Sequence, residues 1–205
     1  MSLPFILILV GFAYVVIFGG MALLRREGLS LRLAIESIII TGLTLLLVYM
    51  GVNVHPVLFL LVVYLITMRV RLIVELATIL AKRENFKTSE QLFNLALRLW
   101  PDQTGKFIVY VNQGTALLQQ GNLDEASKIF KEIIDDSSSG YLGRKYEAAA
   151  LYNLGVVYLR KNQPGEAKAE FNKAIETMPA SEYAKQAAQA LDRLHKNTHS
   201  NSSQP

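Results

Sequence analysis

The chain contains no cysteine and only three histidines among its 205 residues. The absence of thiols excludes a disulfide framework, a thiolate nucleophile and a thiolate-bound metal. His195 and His199 have the spacing of two metal ligands on a helix, but the polar residues around Asn197 do not favour a helix there. No glycine-rich phosphate-binding loop occurs. We therefore expect no catalytic centre, no metal site and no cofactor, and we do not expect an enzyme.

The chain also lacks a strong excess of charge of either sign. It has 21 Lys and Arg against 17 Asp and Glu, a formal net charge of +4. Basic and aromatic residues are not interleaved as they are in proteins that bind single-stranded nucleic acid. The basic residues between positions 69 and 87 follow an apolar segment, so anionic lipid headgroups account for them more economically than DNA does. The composition therefore indicates contact with membrane lipid and not with nucleic acid.

Long apolar runs dominate the N-terminal third of the chain. These runs are residues 3–24, 33–52 and 54–70. The first two have the length of about 20 residues that a helix needs to cross a bilayer, and the third is short for a span. Pro56 lies in the first turn of the third run, where proline is tolerated. No helix breaker lies between Val57 and Lys82, so the sequence predicts one continuous helix there. Residues 1–68 are a predicted transmembrane anchor with three spans.

Two alternatives to this anchor stay open. The third run is short enough to be a re-entrant or interfacial helix. The first run could be a cleaved signal peptide, although no basic residue precedes it and it is longer than the apolar region of a typical signal peptide.

Basic residues between the apolar runs predict the orientation of the anchor. Arg25, Arg26 and Arg32 lie around the first connection, whereas residues 51–56 carry no formal charge at neutral pH. Five more basic residues lie between positions 69 and 87, after the third run. The positive-inside rule then places the N-terminus outside and the C-terminal region on the cytoplasmic or stromal side. We expect an integral protein of a bacterial inner or thylakoid membrane.

Glu36 is the one acidic residue within an apolar run, and it lies near the start of that run. An intramembrane carboxylate is a candidate for proton or ion movement. Glu36 also lies one helical turn from Arg32, so an ion pair between the two is the simpler interpretation.

A different pattern lies between residues 148 and 181, where small and large apolar residues recur at helical spacing. Gly155 and Ala167 are small enough for two antiparallel helices to cross closely, and Pro179 would end the second helix. Large residues fill the space beside that crossing. The full set is Leu151, Leu154, Gly155, Tyr158, Ala167, Phe171, Ala174 and Pro179.

The pattern recurs twice upstream. A shift of 41 residues places Asn112, Gly114, Glu125, Ala126 and Phe130 on Asn153, Gly155, Glu166, Ala167 and Phe171. A degenerate copy precedes these, with Leu76, Ala77, Leu80, Phe93, Ala96 and Pro101 at the corresponding positions. The alternative of an unrelated amphipathic bundle would not require such recurrence.

These residues resemble the tetratricopeptide repeat (TPR), a pair of antiparallel helices that stacks into a solenoid. The resemblance implies an all-α fold, in which the transmembrane helices precede an α-solenoid of about three helix pairs and a capping helix. The repeats are predicted at residues 70–103, 107–138 and 148–181, with the cap at 181–195. Ser181 is the expected N-cap of that helix. The polar residues 196–205 are predicted to be disordered.

The resemblance also implies a concave groove lined by the first helix of each repeat. The groove residues expected from it are Ile108, Val111, Asn112, Thr115, Ala149, Tyr152, Asn153 and Val156. In this family the asparagine often contacts the backbone of an extended ligand. The alternative is that the asparagines only complete the local fold and that the cap or the insertion between repeats covers the groove. Four residues of that insertion form a second candidate surface, namely Tyr141, Leu142, Arg144 and Lys145.

The predicted function is therefore that of a membrane-anchored adaptor that binds proteins, either as an assembly factor or as an accessory subunit of a membrane complex. Its partners would be a peptide or helical segment and neighbouring membrane subunits. The layout is similar to that of the photosystem I assembly TPR proteins of cyanobacteria and chloroplasts. The alternative function is a transporter or channel subunit that works through its membrane helices and would need Glu36.

Overall fold

A computed structural model describes residues 2–24, 31–137 and 143–201. This part of the chain is helical, with no strand. Its ten helices are α1 (Leu3–Leu24), α2 (Leu31–Tyr49), α3 (Pro56–Thr67), α4 (Arg69–Lys82), α5 (Phe86–Arg98), α6 (Gln103–Gln120), α7 (Leu123–Ser137), α8 (Arg144–Arg160), α9 (Pro164–Thr177) and α10 (Glu182–Asn201). The all-α fold class predicted from the sequence is confirmed.

Helices α1 to α3 form the N-terminal unit, and their apolar residues point mostly outward. A small core of Leu7, Tyr14, Phe59 and Val63 joins α1 to α3, whereas side chains such as Phe12 are 68% exposed. Such an apolar exterior suits a hydrocarbon environment. By length and composition, α1 and α2 can each cross a membrane, and the bent pair α3–α4 can form a third span.

The prediction of one unbroken helix from Val57 to Lys82 is wrong. The chain bends by 67° between α3 and α4, at Met68. Contacts on both sides of Met68 fix the bend. The Thr67 hydroxyl lies 2.5 Å from the Tyr14 hydroxyl of α1, and the Arg69 guanidinium donates to the Ile66 carbonyl and to Glu36 of α2. Tertiary contacts therefore break a helix that has no proline or glycine at the break.

Helices α4 to α9 form three pairs, α4–α5, α6–α7 and α8–α9, with the same turn inside each pair. Glu84, Gly121 and Asn162 occupy equivalent places in these turns, with φ of 61°, 90° and 58°. The next N–H in each turn donates to a carbonyl of the first helix at 2.9 Å, a Schellman-type bond. These bonds join Asn85 to Leu80, Asn122 to Leu117 and Gln163 to Tyr158. The degenerate first copy therefore has the same turn as the other two.

The pairs α6–α7 and α8–α9 each cross at a glycine that the sequence pattern identified. A Cβ atom at Gly114 would lie 2.7 Å from the Phe130 ring, and one at Gly155 would lie 2.6 Å from the Phe171 ring. Both phenylalanine side chains are fully buried. Backbone and ring therefore meet directly at these crossings, and a side chain at either glycine would have to displace an aromatic ring.

Helix α10 packs against α8 and α9 as the predicted cap. The Ser181 hydroxyl oxygen accepts a hydrogen bond from the Ala184 N–H at 3.0 Å, so the predicted N-cap is confirmed. The helix continues to Asn201, beyond the predicted end of the cap at residue 195. Residues 202–205 lie outside the described part of the chain.

Candidate partner-binding groove

The first helices of the three pairs, α4, α6 and α8, lie in order along one face of the repeat unit. Together with the start of α10, these helices line an open groove of about 490 Å³. The groove is lined by Arg71, Val74, Glu75, Thr78, Ile79, Lys82, Ile108, Val111, Asn112, Lys145, Tyr146 and Tyr183. Apolar, amide, hydroxyl and charged groups thus face one concave surface.

In the second repeat, three of the four predicted groove residues line this surface, namely Ile108, Val111 and Asn112. Thr115 is half-buried and donates its hydroxyl to the Val111 carbonyl at 2.7 Å. The Asn112 amide nitrogen donates to the Ile108 carbonyl at 2.7 Å, and its oxygen lies 3.3 Å from the Thr78 hydroxyl. Because an amide has two N–H donors, Asn112 has a second one for a ligand.

In the third repeat, the predicted groove residues are packed against the protein itself. Ala149 is 1% exposed and Asn153 is 8% exposed, and the Asn153 amide donates to the Ala149 carbonyl at 2.9 Å. Tyr152 and Val156 pack on the cluster that contains Ala187 of α10. The capping helix therefore covers this part of the expected groove, and the open part lies between α4 and the start of α8.

The first repeat supplies groove residues that the sequence analysis did not name. When the turns of the pairs are superimposed, four residues of α4 correspond to the predicted groove residues of the second repeat. These four residues are Arg71, Val74, Glu75 and Thr78, which correspond in order to Ile108, Val111, Asn112 and Thr115. The four residues of α4 all line the groove. The repeat spacing was sufficient to find them. Glu75 stands where the other two repeats have asparagine, which is why the pattern was less visible there.

The second candidate surface is only partly described. Tyr141 and Leu142 lie outside the described residues. Arg144 is exposed at the start of α8, and Lys145 lines the groove, with its ammonium 5.8 Å from the centre of the Tyr146 ring. One of the two basic residues of the second candidate surface, Lys145, therefore lines the groove.

The comparisons with known proteins agree with this architecture. The tetratricopeptide repeat family matches residues 68–137 and 107–180, which together make up more than half of the chain. The chain belongs to the TPR family. No curated protein and no solved structure gave a match. TPR units generally mediate binding between proteins, so the groove is the candidate site for a protein partner.

The charge of the TPR groove is mainly positive. Arg71, Lys82 and Lys145 bring three cations to it, and Glu75 brings one carboxylate. Tyr183 closes the end formed by α10, where its ring lies 6.2 Å from that of Tyr152. Burial raises the pKa of Tyr183 above its ordinary value, so its hydroxyl keeps its proton at neutral pH. The groove therefore offers cationic and neutral donors to an acidic or amide-rich ligand.

Glu36, which the alternative function would need, lies at the junction between the N-terminal helices α1 to α3 and the TPR unit. Its carboxylate accepts from Arg32 at 2.6 Å and from Arg69 at 2.8 and 2.9 Å. The ion pair with Arg32 is thus confirmed, and the bidentate bond to Arg69 adds a partner on α4. A carboxylate held by two guanidinium groups is suited to structure rather than to proton transfer. No cluster of metal-ligating side chains occurs within residues 2–24, 31–137 and 143–201.

Proposed function

We propose that the chain is a membrane-anchored TPR adaptor. Helices α1 to α3 hold it in the bilayer, and the groove between α4 and α8 binds a segment of a partner protein beside the membrane. The observation that carries the proposal is the open groove of about 490 Å³, whose lining comes from all three repeats and from the cap. The bonds of Glu36 to both Arg32 and Arg69 support it, because they join the anchor to the first repeat.

The groove favours a partner segment of particular chemistry. Its cations suit acidic side chains, and its apolar residues, such as Val74 and Ile108, suit one face of an amphipathic helix or an extended strand. Asn112 can bind a backbone carbonyl of that segment with its second N–H. A membrane complex under assembly would present such segments at the bilayer surface. The role that we propose is therefore that of an assembly factor or accessory subunit of such a complex, photosynthetic complexes included.

Asn112→Ala tests the groove. The change should weaken partner binding because one hydrogen bond is lost, at about 0.5–1.5 kcal/mol or roughly 2-fold to 13-fold in affinity. The partner is first identified by purification of the full chain in mild detergent, and the affinity is then measured by titration. Asn172→Ala is the matched control, because Asn172 is exposed on α9 and does not line the groove. Equal affinities of the two variants would place the partner elsewhere.

A further inference from the structure

Trp100 is the single tryptophan of the chain, and it is 82% exposed. It lies in the connection between α5 and α6, where its φ of 49° is a left-handed conformation that bulky residues rarely adopt. Trp100 therefore combines an exposed apolar side chain with a strained backbone conformation. Such a strained and exposed residue points to a role outside the core of the TPR unit.

Contacts of the preceding residue place Trp100 close to the N-terminal helices. The carbonyl of Leu99, the preceding residue, accepts from Arg32 at 3.3 Å and from Arg69 at 3.4 Å. Arg32 lies in the first turn of α2, and Arg69 is the first residue of α4, just after the bend at Met68. Both therefore lie where α2 and α3 meet the TPR unit.

The residues that follow Trp100 face the same end of the anchor. Pro101 and Gly105 line a cavity of about 270 Å³ together with Met21 of α1 and Glu36 of α2. The connection between α5 and α6 thus lies directly over the ends of the membrane helices.

We propose that Trp100 inserts into the headgroup region of the bilayer and acts as a second attachment of the TPR unit to the membrane. Tryptophan is enriched at this depth because its ring is apolar and its N–H can bond to headgroup or water. The headgroup layer is several ångströms thick on each side of the hydrocarbon core, enough to receive a ring beside Arg32 and Arg69. Leu95 and Arg98, at the end of α5, are also exposed. The inference rests on the proposed anchoring.

A fluorescence experiment tests the inference directly, because Trp100 is the sole indole. The full chain is reconstituted in vesicles of phosphatidylcholine and phosphatidylglycerol, and flotation with the vesicles is recorded first. Emission is then measured with phosphatidylcholine brominated at a shallow or a deep acyl position, and with acrylamide in the water. The double variant Trp100→Phe, Gln189→Trp is the control, since Gln189 is exposed on α10, which packs on α8 and α9.

We expect the emission of Trp100 to be blue-shifted, to lose most of its intensity with the shallow brominated lipid, and to resist acrylamide. The control tryptophan should show the opposite pattern. A chain that floats but whose Trp100 is quenched by acrylamide and not by brominated lipid overturns this inference alone. Protection of Trp100 from both quenchers overturns it in favour of a protein partner or a second copy over the ring. A chain that does not float overturns the anchoring and the inference together.

Discussion

At the scale of single residues, the fold depends on the places where a glycine meets an aromatic ring. The Phe171 ring occupies the space where a Gly155 Cβ would lie, and Phe130 does the same at Gly114. Phe171 is also in ring contact with Tyr152, at 5.8 Å between centroids. The ring therefore cannot move without disturbing the face of α8 that packs on α10.

Gly155→Leu should lower the free energy of unfolding by roughly 1–3 kcal/mol, because the added side chain overpacks the crossing of α8 and α9. Urea unfolding of the full chain in detergent, followed by circular dichroism, measures the change. Gly165→Ala is the matched control, because Gly165 is helical and has no atom within 4 Å of its Cβ position. That control should unfold at the same urea concentration or later, since alanine favours a helix by about 0.5–1 kcal/mol. Similar losses in both variants would contradict the close crossing.

At the scale of helices, most of the TPR unit follows from local sequence. The sequence pattern that recurs after 41 residues, with small residues at the crossings, predicts helix pairs that the structure contains. Ser181 likewise predicts where the capping helix begins. The bend at Met68 could not be predicted in this way. It depends on bonds from Thr67 to Tyr14 and from Arg69 to Glu36, which join residues distant in sequence.

The lining of the groove could also be predicted in part from the sequence. Its second-repeat residues follow from the family pattern, and the first-repeat residues follow from the same spacing. The covering of Tyr152 and Val156 by α10 depends on how the cap packs, which the sequence of the repeats alone does not specify.

Glu36→Gln should loosen the junction between α2 and α4. Gln keeps the shape but not the charge, so it leaves Arg32 and Arg69 without their carboxylate, and hydrogen bonds to charged groups contribute about 1.5–3 kcal/mol each. We expect a lower unfolding temperature in detergent and faster cleavage by trypsin after Arg69. Glu90→Gln, at an exposed position on α5, is the control and should leave both unchanged. If Glu36→Gln left stability intact but abolished transport by a host complex, that result would favour the transporter function over the adaptor function.

At the scale of the whole molecule, charged side chains join the N-terminal helices to the TPR unit. Arg32 and Arg69 each bind both Glu36 and the Leu99 carbonyl, so α2, α4 and the end of α5 share one polar junction. This junction links α4, the first helix of the groove, to α2. The side of the membrane on which the groove lies then decides which partners it can meet.

Cysteine labelling tests the proposed side, because the natural chain has no cysteine. Asn53→Cys lies in the exposed turn between α2 and α3, and Ala180→Cys lies in the exposed connection between α9 and α10. An impermeant thiol reagent added to intact cells should label the first variant, and it should label the second only after the membrane is opened. This result requires that the chain cross the membrane three times, with α3 as the third crossing. Labelling of both variants in intact cells would show that α3 is re-entrant and that the TPR unit lies outside, and the inverse pattern would contradict the positive-inside assignment itself.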